Sequence, residues 1–331
     1  MRVLWRVKWF RWLTLGLFLA VCGFWLFANL DLRTTIVYVK RADHVKILLY
    51  LPLLMLAVWV LRALRWGVVL RSAGVSIDPL RIYLSTATSL GLAAVTPAQS
   101  GEMLKIKHAA DASKLGLYGG IGGFAAERFY DASVLLMLTI LAALVTMKSA
   151  AQNFTLVALA VTGVALAGAL VLNTIPAGRL PAWLVEVLNG FKASTSRPAV
   201  AIGLAALTAA CWLLTAVSWQ VAMSAVGVDV TLAAAMAIVG IVMFAILASM
   251  VPAGIGVSEL TISGLLVLLG FAPEQALSAA LILRVLGLWA VVLGLIHWCL
   301  FESVLARGLR AVPQPPHAPP SSPASADTTS R

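Results

Sequence analysis

Four ionisable residues interrupt sequence that is otherwise apolar: Glu102, Arg128, Glu259 and Arg284. Arg128 follows Glu102 by 26 positions and Arg284 follows Glu259 by 25. Each glutamate sits in a Pro/Gly break, TPAQSGEMLKIK at 96–107 or VPAGIGVSELT at 251–261. Guanidinium groups can grip a phosphate or carboxylate through forked N–H donors. The glutamates can neutralise them when the site is empty, or carry a proton. This pattern predicts a polar groove that receives an anion. The competing reading is a set of buried ion pairs that pin the breaks to the helices.

Further residues join the candidate site. Asp131 lies at i,i+3 from Arg128, while Glu127 points about 100° away from that arginine and shares a face with Asp131. The breaks themselves hold Pro97, Gly101, Pro252, Gly254 and Gly256. Their glycines let backbone approach closely, and a helix restarting after the second break offers free N–H groups and a positive dipole end. Arg62 and Arg65 lie in WVLRALRW, flanked by Trp59 and Trp66. Two readings stand for them: a snorkelling aromatic-belt anchor, or a mouth that gathers phosphate.

Other chemistries are missing. His108 and His297 have no second ligand at metal spacing, and Cys22, Cys211 and Cys299 stand far apart in apolar segments. No metal or cofactor is expected. Gly120 to Ala125 forms a formal GxGxxA, but no strand precedes it, so it reads as small-residue packing in a helix. GxxxxGK[ST], HExxH and GxSxG do not occur, so the chain is not read as an enzyme.

The elements that must hold these residues are membrane helices. The 331 residues are 61% hydrophobic and 11% charged, a balance suited to an all-α polytopic membrane protein. The formal net charge of +11 follows the positive-inside rule and does not call for nucleic acid. Six spanning helices are expected at 12–28, 46–66, 118–147, 154–174, 199–226 and 275–303. The first resembles a signal peptide, without a small-residue cleavage site, and is read as uncleaved. The stretches 80–96 and 231–250 run into the two breaks, and either could cross the membrane or dive in and return. Charge favours return. If both are re-entrant hairpins, the basic segments at 62–81, 105–114 and the 176–198 loop share the cytoplasmic side with both termini.

Arg128 then lies roughly 15 Å along its helix at about 1.5 Å per residue. A charge so deep costs at least ~2.5–3.5 kcal/mol unless it finds a partner or a wet cavity. The matched break-to-arginine spacing divides residues 1–306 into inverted halves, about 1–150 and 151–306, with oppositely oriented hairpins. Residues 307–331 form a Pro/Ser-rich stretch expected to be a disordered cytoplasmic tail.

LRALRWGVVLRSAG, TPAQSGEMLKI, AAERFYD and VPAGIGVSELTISGLLVLLG, with the late Arg284, resemble the lysylphosphatidylglycerol synthase transmembrane (flippase-like) family over roughly residues 10–305. The resemblance implies a lipid flippase of the bacterial inner membrane, multi-pass, without the synthetase domain of the full-length enzymes. Its implied partners are membrane lipids, either an anionic phospholipid or a lipid-linked glycan or hopanoid. Lipid-synthesis enzymes and a second copy of the chain are further candidate partners. A lipid headgroup transferase and a non-catalytic member of a lipid-synthesis complex are the rival expectations.

Overall fold

The computed structural model describes residues 37–112, 116–146, 181–249, 251 and 254–310. The expected helices 12–28 and 154–174, Pro252, Cys22 and residues 311–331 of the expected 307–331 tail lie outside them, while residues 307–310 of that tail continue the last helix. Among the described residues every regular element is helical. Five helices among the described residues are long and apolar enough to cross a membrane: Lys46–Ser72, Gly116–Thr146, Pro198–Ser224, Leu232–Ser249 and Pro273–Ser303. Their outward faces carry exposed Leu64, Val145, Ile202, Leu247 and Leu295, a surface suited to lipid. The chain is an all-α, multi-pass membrane protein.

Local chemistry sets the boundaries. A π-turn at Lys46–Tyr50 leads into α1, Leu51–Ser72, where Pro52 lacks the N–H needed to continue a regular ladder. Helix α2, Pro79–Ala93, starts with proline and is capped by Asp78, whose carboxylate accepts from the Arg81 N–H at 3.1 Å. A 3-10 turn, Pro97–Met103, follows and runs into α3, Leu104–Ala112. Helix α4 is Gly116–Thr146.

Within the expected 176–198 loop the structure has a helix, α5, Ala182–Thr195. Its glycine, Gly190, packs against Gly119 and Gly122 of α4, which fixes the segment as a helix on a helix and not as a free connection. The small residues around Gly120 thus serve close packing. Helices α6, Pro198–Ser224, and α7, Leu232–Ser249, come next. Helix α8, Val257–Leu268, begins after the second break, and α9, Pro273–Arg310, closes the described chain.

The two breaks fold back on the helices that precede them. A Cβ on Gly101 would lie 2.6 Å from the Ala93 nitrogen, and one on Gly254 would lie 2.7 Å from Ile246 Cγ1. Gly254 and Gly256 also have φ of +60° and +80°, which glycine alone adopts at little cost. The preceding helices differ in length. The 15 residues of α2 reach roughly 22 Å, short of the ~30 Å hydrocarbon core, whereas the 18 of α7 reach roughly 27 Å.

The packing between elements is reciprocal. Helix α2 packs on α9 and α7 packs on α4, so each helix leading to a break lies against the arginine-bearing helix that follows the other break. Helices α1 and α6 pack on each other between them.

Candidate functional site

Seven charged side chains from four elements interlock beside the first break. Glu102, in the 3-10 turn, is 1% exposed. Its Oε1 accepts from Arg62 Nη1 at 2.9 Å, and its Oε2 accepts from Arg128 Nη2 at 2.7 Å and Lys105 Nζ at 3.5 Å. Lys105 Nζ also donates to Glu127. Arg65 donates Nε to Glu127 at 3.1 Å and a fork to both oxygens of Asp131. Arg128 closes the circuit on Asp131 at 2.8 Å.

Helical spacing explains the arrangement. Arg62 and Arg65 are three residues apart on α1, and Glu127 and Asp131 are four apart on α4, so each pair shares a face. Arg65 can therefore reach two carboxylates one turn apart. Helix α6 completes the shell: Arg65 Nη1 donates to Thr208 Oγ1 at 3.2 Å, and Trp212 Nε1 donates to Asp131 Oδ1 at 3.2 Å. The Arg62 guanidinium lies 5.5 Å from the Trp212 ring centroid, within cation–π range.

The anchor reading of Arg62 and Arg65 does not hold. Arg65 is 1% exposed and Trp66 is buried beside it, because two carboxylates on α4 draw the guanidinium inward. Arg62 is drawn the same way by Glu102.

At the second break, Glu259 occupies the first turn of α8. Its Oε2 accepts from the Gly256 N–H and from Ser258 Oγ, both at 2.9 Å. Arg284 of α9 donates Nη2 to the same oxygen at 2.7 Å and Nε to Oε1. Arg284 Nη2 also donates to the Gly254 carbonyl at 3.0 Å and to Ser258 Oγ at 2.9 Å. The break thus gives the arginine a carbonyl, a hydroxyl and a carboxylate at once.

Between the two clusters lies a cavity of about 270 Å³. Arg62, Gln99 and Glu102 line it from the first half, and Ser258 and Arg284 from the second. Its walls include Trp59, Trp219, Met243 and Ile246. Arg65, Glu127, Arg128 and Asp131 do not line it; they stand behind Arg62 and Glu102. Pro97 opens the 3-10 turn that carries Gln99 and Glu102. Gly101 N–H donates to Thr96 Oγ1 at 2.8 Å, which ties the turn to its own entry strand of backbone.

Sequence reasoning missed two residues here. Lys105 is 2% exposed and bridges two of the acids; its i,i+3 spacing from Glu102 is the signal that could have found it. Gln99 has φ of +57°, unusual for a residue with a Cβ, and its Nε2 lies 3.8 Å from Met243 Sδ on α7. No local pattern announces that. Cys211 is buried and Cys299 exposed, both as free thiols. Among the described residues no group of acids, histidines and cysteines could hold a metal ion.

A second cavity, about 140 Å³, lies near α3 and is lined in part by Arg81, Ser85, His108, Asp111 and Phe301. Burial there holds the His108 imidazole below its ordinary pKa, with Asp111 opposing. His297, by contrast, is tied into helix packing: its Nε2 meets Tyr83 Oη at 2.9 Å and its Nδ1 meets the Leu293 carbonyl at 2.7 Å.

No curated protein matches the chain. A family profile does, and it covers α1 to α8, most of the spanning part of α9, both breaks and every charged residue of the two clusters. Residues 11–294 match the family described as the lysylphosphatidylglycerol synthase TM region, and the chain belongs to that family.

Proposed function

We propose that the protein is a lipid flippase or lipid transporter of the bacterial inner membrane, with both ends of the chain cytoplasmic. The cavity between the halves carries the reading: the Arg62–Glu102 pair and Arg284, which is paired with Glu259, face a common space with apolar walls. A headgroup would enter this space while its chains stay in lipid. Arg62 and Arg284 would take its phosphate, and Glu102 and Glu259 would hold the arginines between turnovers. The reciprocal packing of α2 on α9 and α7 on α4 supports two inverted halves with re-entrant breaks, which could rock against each other. In this reading the chain makes and breaks no covalent bond.

The test is reconstitution in liposomes holding headgroup-labelled lipids, scored by access of dithionite to the label. Protein-dependent loss of the protected pool, abolished by Arg284→Gln, is the expected result. Equal protection with and without protein, for every lipid class and under a proton gradient, would sink the proposal.

A further inference from the structure

We infer that the cavity selects a headgroup with one net negative charge, a phosphodiester, over zwitterionic headgroups and over phosphomonoesters or pyrophosphates. The inference rests on the transport reading above and assigns it a substrate class. It comes from counting charge. Among the described residues, the two clusters hold five cations: Arg62, Arg65, Lys105, Arg128 and Arg284. Four carboxylates stand against them: Glu102, Glu127, Asp131 and Glu259.

Each carboxylate lies within hydrogen-bond reach of a guanidinium, and Lys105 lies between two acids, so the formal charges of the nine groups pair off within the clusters. One positive charge is left over. Away from water an uncancelled charge acts strongly over several ångströms. A monoanion cancels it. A zwitterion leaves it in place, and a dianion replaces it with an excess of the opposite sign.

The surplus reaches the ligand through Arg62. Of the nine groups only Arg62, Glu102 and Arg284 line the cavity. Glu102 already accepts from three cations, and Arg284 is committed to Glu259, Ser258 and a carbonyl. Arg62 has five N–H donors, and its one hydrogen bond among the described residues is to Glu102. Arg62 therefore has the donors to spare for the phosphate, with Arg284 across the cavity.

Charge-changing variants behind the cavity test this without touching the ligand. Lys105→Met brings the count to zero, Glu127→Gln raises it to two, and the double variant restores one. Binding to the full chain in detergent is measured by thermal shift with three dioctanoyl lipids. These are phosphatidylglycerol (one negative charge), phosphatidylcholine (zwitterionic), and phosphatidic acid at about pH 8, where it is close to a dianion. The wild type should bind phosphatidylglycerol roughly tenfold tighter than either other lipid, the scale of one unit charge about 12 Å away at an effective dielectric of about 20.

Preference should pass to phosphatidylcholine in Lys105→Met, to phosphatidic acid in Glu127→Gln, and back to phosphatidylglycerol in the double variant. A purely structural Lys105 would weaken all three lipids alike. An unchanged order across the variants overturns the inference. So does a wild type that does not favour phosphatidylglycerol, and that result decides even where the single variants fail to fold. The liposome assay separates the two readings: monoanion-selective binding with no translocation sinks transport and leaves the selectivity standing, while translocation with another charge order does the reverse.

Discussion

Gly91 of α2 and Gly294 of α9 meet backbone to backbone: a Cβ built on either would collide with the Cα of the other. The same device recurs on the other side, where Gly240 of α7 lies against the Thr139 side chain of α4. In a membrane, helices gain nothing from hiding apolar surface from lipid, so close approach through small residues holds them together. Gly91→Val should therefore lower the melting temperature in detergent, by overpacking worth about 1–3 kcal/mol. Gly203→Ala is the control. Nothing lies within 4 Å of a Cβ there, and alanine favours the helix by ~1 kcal/mol, so its melting point should hold or rise.

Asp131 holds Arg65 through a fork in a place almost closed to solvent. Asp131→Asn keeps the shape and removes the charge, leaving Arg65 with Glu127 alone. Loss of a partner from a buried pair costs about 3–5 kcal/mol. The variant should give little monodisperse protein in size-exclusion chromatography. Adding Arg65→Met should recover part of the yield, since the stranded cation is then gone.

Arg284 is a different case because it is 29% exposed at its side chain and faces the cavity. Arg284→Gln should cut translocation at least about tenfold, the loss of one charge-assisted contact of ~1.5–3 kcal/mol. Its melting point should fall far less than that of Asp131→Asn. Parallel melting and transport curves on the same preparations check the split.

His108 gives the pH dependence. Its folded-state pKa is lowered, so the fold favours the neutral ring. The unfolded chain takes up the proton first, near pH 6.5, and stability falls as pH drops through that region. His108→Asn should lose less stability than the wild type between about pH 7.5 and about pH 5, read as the difference in melting temperature.

Four of the expected spanning helices, α1, α4, α6 and α9, were legible because each is a long apolar run, with starts punctuated by residues such as Pro198 and Pro273. The pairing of Glu102 with Arg128 and of Glu259 with Arg284 was legible from spacing, since a buried charge must find its opposite. Helix α5 was not, because Pro181, Lys192 and Arg197 read as a polar connection until Gly190 meets α4. Nor was the inward turn of Arg65. A sequence shows that an arginine is near a helix end, and only the packing of α1 on α4 and α6 shows which way it faces.

Glu102 shares its two oxygens among Arg62 of α1, Lys105 of α3 and Arg128 of α4. Three helices thus grip one carboxylate. If any one of them slides, two counter-charges stay in place, and the acid is never stripped bare in an oily surround. Under the proposed rocking of the halves, such shared support would lower the barrier to turning, because no step would part an isolated ion pair at its large cost.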